Sequence, residues 1–289
     1  MMVREGARIA MPAIIYDSGP LAGRMREALR NESLVFRQRR DRRARLVQVV
    51  VGHDDAAHVY SRQLQRACHE LGVDCITLEH PFAMSEEELR AEISMLNDDL
   101  ENDGVVILLP LPDHIRQRQV TEVLRPEKDV DGLGPRNAGN LMLGFPSFMP
   151  STADVILSIL QDANISVVGR NAVVIGRSNI GGKPTGLVLL RQDATVTICH
   201  SHTPNLAEIT RSADIIVSSV GRAGMITGEM VKPGAVVLDA GINMHNGRVV
   251  GDVDMASVRE IASFITPVPG GLGPLTHLTL IRHTLHGPQ

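Results

Sequence analysis

The sequence predicts an α/β protein of two domains, each built on a parallel sheet. The first observation is length, since 289 residues, of which 43% are hydrophobic, can form two hydrophobic cores. The second is that short apolar segments alternate with segments of helical periodicity. The third is that this alternation occurs twice, on either side of a segment rich in glycine, proline and asparagine. Such alternation is typical of parallel sheets covered by helices.

The first half of the sequence begins with residues 19–44, which have helical periodicity. The arginine run RQRRDRRAR (37–45) begins within this segment, and we expect a charge run of this kind to form a solvated face. Three apolar segments then predict three buried strands. These segments are RLVQVVVG (45–52), VDCITLEH (73–80) and GVVILLPLP (104–112).

The two helices between these strands have clear end signals. The first covers residues 58–72 and is closed by Gly72. The second opens at Ser85, because a serine followed three residues later by Glu88 is a capping box. The resulting β-α-β-α-β order implies parallel strands with helical crossovers.

Residues 128–144 are rich in glycine, proline and asparagine, and we interpret them as a loop or a boundary segment. A helix at 151–163 then leads into a second α/β region. Short buried strands are expected at 171–176, 195–200, 214–221 and 235–241. A Gly/Pro loop at 265–276 precedes a short terminal helix at 277–285.

Charge and composition exclude several classes of protein. The net charge is −4 and aromatic residues make up 2% with no Trp, so neither a basic surface nor base-stacking platforms indicate nucleic-acid binding. No apolar segment approaches the roughly 20 residues of a membrane helix. The 11 histidines are scattered, and no pair with metal-ligand spacing lies beside a carboxylate. We therefore expect no metal site.

The cysteines and the N-terminal residues indicate the compartment. Cys68, Cys75 and Cys199 are odd in number and lack the spacing of a metal knuckle, so we expect reduced thiols in a cytosolic protein. The N-terminal segment lacks the apolar region and the cleavage site of a signal peptide. We expect a short extension before Met11.

A glycine-rich turn at 173–186 predicts a dinucleotide site. The segment VVIGRSNIGGKPTG follows a strand and opens a helix. Gly176 permits a tight turn, Gly182 allows close backbone approach, and the helix N-terminus offers N–H groups to a pyrophosphate. The spacing differs from G-x-G-x-x-G, and such a turn can be purely structural. The buried strands around it favour the cofactor interpretation.

The residues after the next strand indicate which cofactor binds. NAD sites usually have Asp or Glu there to bind the ribose hydroxyls, whereas this strand ends in CHSHT (199–203). Arg177 follows the first glycine, and a guanidinium suits a 2′-phosphate. We therefore expect NADP, while NAD stays possible with Arg177 as a solvated loop residue.

Eight segments in one order resemble a known family. They are VGHDDAAHVY, LPLPDHI, KDVDG, GRSNIGGKP, ATVTICHSHT, VLDAGIN, VGDVD and TPVPGGLGPLT. The series closely resembles the bifunctional methylenetetrahydrofolate dehydrogenase/cyclohydrolase family from about Ile14 to Leu285. The fourth and the last segments are the most specific.

The resemblance implies two domains with a cleft between them. One would be an N-terminal three-layer α/β domain that binds folate, at 1–150 together with 272–289. The other, at 151–271, would be a Rossmann-like parallel-sheet domain that binds NAD(P). The implied ligands are one-carbon derivatives of tetrahydrofolate. Because members of the family are typically homodimers, we also expect a second copy of the chain as partner.

The resemblance also assigns roles to individual residues. Tyr60 matches the tyrosine that stacks near the folate ring, and Asp131 matches the aspartate that hydrogen-bonds the pterin. The positions that border folate and nicotinamide are Pro269, Gly270 and Gly271. The cofactor positions are Gly176, Arg177, Ser178, Ile180, Gly182, Ser201 and Ile242. Taken without the resemblance, Tyr60 could be a packing residue and Asp131 a turn aspartate.

Two polar active-site positions of the family are apolar in this sequence. The family has a catalytic lysine four residues after the tyrosine, on the same helix face, where this chain has Leu64. It has glutamine just before the first leucine of LPLP, where this chain has Leu108. The C-T-P motif of the family is replaced by Ser151-Thr152-Ala153.

The two reactions of the family depend differently on the lost groups. Hydride transfer mainly requires position and a water-poor cleft. Hydrolysis requires an activated water and proton transfers, for which a positioned acid or base is typically worth about 10²–10⁴-fold. No lysine precedes Lys128, and Gln63, the polar neighbour on that helix face, is not titratable. We expect an NADP-dependent 5,10-methylenetetrahydrofolate dehydrogenase with weak or lost cyclohydrolase activity.

Two other functions remain open at this point. A non-catalytic paralogue that binds folate or nucleotide is favoured by the two lost polar positions and opposed by the intact glycine turn and TPVPGGLGP loop. An oxidoreductase acting on a modified one-carbon carrier is the second alternative, in which Leu64 and Leu108 would line a less polar pocket.

Overall fold

The computed structural model describes residues 12–245 and 247–288. Its strands are β1 (Ile14–Ile15), β2 (Arg45–Val51), β3 (Asp74–His80), β4 (Gly104–Ile107), β5 (Asn171–Ile175), β6 (Thr195–Cys199), β7 (Ile215–Ser218), β8 (Val236–Asp239), β9 (Asn243–His245), β10 (Arg248–Val250) and β11 (Phe264–Ile265). Its α-helices are α1 (Gly19–Arg40), α2 (Asp55–Leu71), α3 (Glu86–Asp98), α4 (Gln117–Val123), α5 (Pro135–Leu143), α6 (Ser151–Asp162), α7 (Gly182–Arg191), α8 (Leu206–Arg211), α9 (Met255–Val258) and α10 (Gly273–His286). The expected extension before Met11 lies outside the described residues.

The chain divides into two compact units. The first unit contains residues 18–164 and 273–288, and the second contains residues 12–17 and 165–272. This division differs from the expected domain boundaries at α6, which lies in the first unit, and at β1, which lies in the second. Contacts of α6 with α10 and the pairing of β1 with β11 account for these places. Within the described ranges, no helix is long and apolar enough to cross a membrane.

A three-stranded parallel sheet in the order β3-β2-β4 forms the centre of the first unit. The central strand β2 is almost entirely buried, and Val47, Val49 and Val51 pack in one cluster with Leu89 and Ile93 of α3. The predicted end signals of the helices are confirmed. Gly72 ends α2 in the left-handed conformation (φ 73°), and α3 begins with the capping box of Ser85 and Glu88.

A parallel sheet of six strands in the order β1-β11-β8-β7-β5-β6 forms the second unit, and β9 and β10 form a separate antiparallel hairpin. The four predicted strands are β5 to β8. β1 and β11 were not predicted, because each is only two residues long. Their pairing of Ile14 with Phe264 joins residues that are far apart in the sequence.

Two segments that we expected to be loops contain helices. Within 128–144, α5 begins with Pro135 in its first turn and ends at Gly144, which has φ 80°. Both residues are favourable at helix ends, so their presence does not prevent a helix. The terminal helix α10 begins at Gly273, inside the predicted Gly/Pro loop, and most of its residues are buried. Burial against the first unit stabilises α10 more than local propensity suggests.

The arginine run forms a solvated face only in part. α1 ends at Arg40, and Asp41 adopts a left-handed conformation with φ 55°. Arg42 is half-buried, and its guanidinium donates to both carboxylate oxygens of Asp103 at 2.6 and 2.9 Å. This bidentate pair fixes the segment that leads into β2.

Candidate functional site

Helix α2 carries Tyr60 in the first unit. The side chain of Asp54 caps the helix by accepting a hydrogen bond from the Ala57 N–H at 2.8 Å. The half-buried Tyr60 ring lies against His277 of α10, with ring centroids 4.1 Å apart. Burial raises the pKa of Tyr60 far above its ordinary value, and the charge of Asp131 adds to this, while a hydrogen bond with Thr276 opposes it. Tyr60 therefore presents a neutral hydroxyl at physiological pH.

Asp131 lies in the loop before α5, and the first residue of α6 holds it. The Ser151 N–H donates to Asp131 Oδ1 at 3.0 Å. Burial raises the pKa of Asp131, whereas its hydrogen bonds with Ser151 and the charge of His283 act in the opposite direction. Because the Asp131 charge also acts on Tyr60, the structure brings these two predicted folate residues into one electrostatic environment.

Leu64 and Leu108 are both buried within the first unit. Leu64 lies one helical turn after Tyr60 and has 0% of its surface exposed, and Leu108, directly after β4, has 6% exposed. The Leu108 N–H donates to the Val49 carbonyl at 2.9 Å, so its backbone continues the sheet. Both positions have become parts of the hydrophobic interior. On the same helix, Gln63 is exposed.

The sequence interpretation missed the role of Asp129, the other acid of the KDVDG motif. Asp129 is 2% exposed and accepts hydrogen bonds from the Leu133 and Gly134 N–H groups and from Asn137 Nδ2, at 3.1, 2.7 and 2.9 Å. Burial raises its pKa to about 6, and these donors limit the rise. Asp129 shapes the loop that presents Asp131. The signal was that the motif has two aspartates, and that Gly134 and Asn137, which donate to Asp129, follow shortly after it.

The glycine-rich turn of the second unit has the shape that the sequence predicts. Gly176 has φ 122°, which favours glycine, and a Cβ at residue 182 would collide with the Gly176 carbonyl. The Ser178 hydroxyl accepts hydrogen bonds from the N–H groups of Gly181 and Gly182, at 3.1 and 3.3 Å. Ser178 therefore shapes the turn and satisfies N–H groups at the start of α7.

The predicted cofactor residues all follow the carboxyl ends of parallel strands in the second unit. The strands concerned are β5, β6 and β8, which lie in one sheet. Arg177, Ser201 and Ile242 are exposed, and Ile180 is half-buried. The Gly176 N–H donates to the Cys199 carbonyl at 2.9 Å, which joins the turn after β5 to the end of β6. Ligands of open α/β sheets bind at this edge.

The loop with Pro269, Gly270 and Gly271 follows β11 at the same edge of this sheet. Pro269 and Gly270 are exposed and Gly271 is buried. The Gly271 N–H donates to the Pro267 carbonyl at 2.8 Å, which closes the loop on itself. The Thr266 hydroxyl accepts from the Asp239 N–H at 2.8 Å and attaches the loop to β8.

Two buried carboxylates that the sequence interpretation missed organise the same edge. Asp239, at the end of β8, accepts hydrogen bonds from the N–H groups of Gly241, Asp252 and Val253. Asp252, which has 0% exposed surface, accepts from four donors at 2.7–3.0 Å: Ser218 Oγ, Val220 N, Arg222 N and Asn243 Nδ2. The motifs VLDAGIN and VGDVD thus encode a hydrogen-bond network that supports the loops after β7 and β8.

The described residues contain no group of three His, Cys, Asp or Glu side chains that could hold a metal ion. The three cysteines are free thiols, and Cys68 and Cys199 are buried.

Family models match both halves of the chain. Residues 16–131 match the catalytic domain of tetrahydrofolate dehydrogenase/cyclohydrolase, and residues 150–288 match its NAD(P)-binding domain. A curated relative, the bifunctional protein FolD of Halalkalibacterium halodurans, is 46% identical over 279 residues, which are 96% of this chain and 100% of that protein.

Solved structures agree with these matches. The bifunctional FolD methylenetetrahydrofolate dehydrogenase/cyclohydrolase from Campylobacter jejuni is 36% identical, with a TM-score of 0.91, and the match covers 94% of this chain and 97% of that one. The Trypanosoma brucei enzyme, whose structure contains NADP and an inhibitor, is 34% identical with a TM-score of 0.90, and the match covers 95% of this chain and 97% of that one.

Proposed function

The chain belongs to the tetrahydrofolate dehydrogenase/cyclohydrolase family, and on that basis we propose that it is an NADP-dependent 5,10-methylenetetrahydrofolate dehydrogenase with weak or absent cyclohydrolase activity. The observation that carries the proposal is a contrast within the first unit. Tyr60 and Asp131 are both present, and the charge of Asp131 acts on Tyr60, whereas Leu64 and Leu108 are buried apolar residues at the positions of the family's lysine and glutamine.

Hydride transfer requires little acid–base chemistry from the protein. The methylene carbon between N5 and N10 of the folate gives up a hydride, and the lone pairs of the two nitrogens stabilise the methenyl cation that forms. NADP, when bound, supplies the acceptor for this hydride. The role of Tyr60 is to pack against the folate ring, and the role of Asp131 is to accept hydrogen bonds from the pterin. Neither role needs a lysine.

Hydrolysis of the methenyl cation needs more from the protein. A water must lose a proton as it attacks the bridging carbon, and a folate nitrogen must gain one as its bond to that carbon breaks. In this chain neither position 64 nor position 108 carries a group that can move a proton. Since a positioned acid or base typically contributes about 10²–10⁴-fold, we expect hydrolysis to fall by a factor in this range relative to a lysine-containing enzyme.

The pair of rates on one preparation tests the proposal. Purified protein receives methylenetetrahydrofolate with NADP, and the appearance of reduced cofactor gives the dehydrogenase rate. The same preparation receives methenyltetrahydrofolate, and its absorbance decay is compared with the decay in buffer. We expect clear reduction of NADP and decay close to the buffer rate. Hydrolysis well above the buffer rate, abolished by Asp131→Asn, would contradict the loss of cyclohydrolase activity.

The glycine turn fits a dinucleotide, and its surroundings favour NADP over NAD. Gly176 and Gly182 leave the backbone at the carboxyl edge without side chains, and Arg177 is exposed beside them. No carboxylate follows β6, where an NAD site would bind the ribose hydroxyls.

We expect Arg177→Gln to lower kcat/KM for NADP about tenfold or more, since a charge-assisted contact with the 2′-phosphate is lost. The kcat/KM for NAD, which has no such phosphate, should change little. The matched control is Arg191→Gln, which removes an exposed arginine at the other end of α7.

A non-catalytic paralogue is the second candidate, because two polar positions of the family are apolar here. This hypothesis predicts that the protein binds folate but does not reduce NADP when it is given methylenetetrahydrofolate. The idea of a modified carrier in a less polar pocket is weakened by the burial of Leu64, which has 0% exposed surface and so offers no pocket wall.

We further propose that the protein is cytosolic and forms a homodimer. The cytosolic location is in keeping with the free thiols. A sedimentation measurement on the purified protein would test the dimer.

A further inference from the structure

Two sets of hydrogen bonds join the start of α6 to the loop that carries Asp131, one direct and one through His283. The first turn of α6 contacts Asp131 directly through the Ser151 N–H, at 3.0 Å. It also contacts His283 of α10 through Asp154, whose Oδ2 lies 2.9 Å from His283 Nε2. The other ring nitrogen, Nδ1, lies 2.7 Å from the carbonyl oxygen of Val130, the residue before Asp131.

His283 and Asp154 are both deeply buried, with 5% and 4% of their surfaces exposed. Asp154 Oδ2 also accepts a hydrogen bond from Arg282 Nη2 at 2.6 Å. Burial alone would raise the pKa of Asp154, but the hydrogen bonds and charges of His283 and Arg282 together hold it below its ordinary value. Asp154 is therefore an ionised carboxylate that only accepts hydrogen bonds.

The two partners of His283 are both hydrogen-bond acceptors. The Val130 carbonyl can only accept a hydrogen bond, so the contact at Nδ1 needs a proton on that nitrogen. The ionised Asp154 can also only accept, so the contact at Nε2 needs one as well. A ring that donates from both nitrogens links the first turn of α6 to the carbonyl of Val130.

We propose that His283, held by Asp154, positions Asp131 for folate through the Val130 carbonyl. The proposal rests on the proposed function, in which Asp131 binds the pterin. His283 acts through Val130 and touches neither substrate nor cofactor in it, so it is a positioning residue. The charged groups that face the ring come from each neighbouring element: Asp154 from α6, Asp131 from the loop before α5, and Arg282 from α10. The Phe148 ring also lies beside it, with its centroid 5.2 Å from that of His283.

Two substitutions separate the contacts of His283. In His283→Asn, the amide can stand in for Nδ1 and still donate to Val130, whereas in His283→Gln it reaches the place of Nε2 and donates to Asp154. We expect His283→Gln to raise the KM for methylenetetrahydrofolate about tenfold, as for one lost buried hydrogen bond, and His283→Asn to raise it clearly less. The KM for NADP should not change, which also shows that each variant is folded.

A matched control lies three residues further along the same helix. His286 is also paired with a carboxylate, since its Nε2 lies 2.9 Å from Glu32 Oε2. Among the described residues, no hydrogen bond joins His286 to the Asp131 loop. We expect His286→Asn to leave the KM for folate unchanged. An increase in His286→Asn as large as that in His283→Gln would show that any weakened packing of α10 has this effect, and would overturn the proposal.

The split between KM and kcat provides a readout that a merely structural role would not change. Because His283 touches no reacting atom, His283→Gln should raise the KM for methylenetetrahydrofolate and leave kcat nearly unchanged. A fall in kcat as large as the rise in KM would overturn the proposal.

Calorimetric titration with tetrahydrofolate distinguishes this proposal from the proposed function. Weaker binding in His283→Gln than in His283→Asn and His286→Asn supports the positioning role even if no NADP is reduced. Equal binding in the wild type and the three variants overturns the positioning role, and the proposed function is then judged by the dehydrogenase assay only. If the wild type binds no tetrahydrofolate, the proposed function and the positioning role both fail.

Discussion

The ring of Tyr60 on α2 lies against the ring of His277 on α10, with centroids 4.1 Å apart, and this contact joins the predicted folate helix to the C-terminal helix. His277 is 8% exposed, and its Nε2 has no hydrogen-bond partner in the described structure. Burial lowers its pKa from 6.5 to about 4, although the Tyr60 and Gly273 backbone groups act in the opposite direction. Tyr60 therefore packs on a neutral imidazole.

The lowered pKa of His277 makes stability depend on pH. Between its folded value of about 4 and its ordinary value of 6.5, the unfolded chain binds more protons at this residue, so stability falls as the pH falls through this window. From about pH 7 to about pH 5, the contribution of His277 is a loss of about 2 kcal/mol. In His277→Leu this part of the loss should be absent, as measured by urea unfolding at both pH values.

The comparison of variants isolates His277 from other buried groups. Asp129, with its pKa raised to about 6, gives the opposite pH dependence in part of the same range. The reason is that the folded protein keeps this carboxyl protonated up to a higher pH than the unfolded chain does. It is unchanged in His277→Leu and so cancels in the difference. His69→Asn, at an exposed position of α2, is the control. An acid sensitivity in His277→Leu equal to that of the wild type would contradict the assignment.

Leu64→Lys should not restore hydrolysis and should destabilise the protein. The side chain at position 64 has 0% exposed surface, so the new ammonium would be buried without a designed partner. Such a change costs several kcal/mol, about 3 or more, whereas the volume-conserving Leu64→Met should cost less than about 1.5 kcal/mol. Thermal melting measures both. If Leu64→Lys alone gave full cyclohydrolase activity, Leu108 would have no part in the loss.

Asp252→Asn should weaken the second unit strongly. Residue 252 has 0% exposed surface, and its carboxylate accepts four hydrogen bonds. In asparagine one carboxylate oxygen is replaced by an NH₂ group, which would face the N–H and O–H groups that donate to this site. We expect a loss of about 3 kcal/mol and weaker NADP binding, because the loops after β7 and β8 lose their support. Asp254→Asn at the start of α9 is the control, and it should cost about 1 kcal/mol at most. Equal effects of the two changes in urea unfolding would count against the network.

Gly182→Ala should strongly weaken cofactor binding. The added methyl group would collide with the backbone of Gly176 in the glycine turn, which has no flexible atom to move away. We expect the KM for NADP to rise by more than about tenfold, together with a lower melting temperature. The matched change Gly23→Ala, in the open interior of α1, meets no atom within 4 Å and should stabilise by up to about 1 kcal/mol. A normal KM for NADP in Gly182→Ala would mean that the turn can rearrange.

The sequence by itself determined the elements whose signals are local. The apolar pattern of β2, the capping box of Ser85 and the C-terminal Gly72 act within a few residues, so α2, α3 and the central strands agree with expectation. The glycine turn could be predicted for the same reason, because the conformation at Gly176 depends on its own missing side chain. Family motifs then pointed to Tyr60, Asp131 and the two leucines as candidate site residues without any coordinates, and their roles stay predictions.

Tertiary structure decided what depends on partners distant in the chain. The two-residue strands β1 and β11 exist because they pair with each other, and α10 extends into a Gly/Pro segment because the first unit buries it. The same holds for the chemistry. Contacts between segments far apart in sequence make Leu64 a core residue and pack His277 on Tyr60. Such a contact also joins His283 to the loop of Asp131. Local periodicity carries no information about such contacts, because burial and hydrogen bonding are properties of the folded neighbourhood.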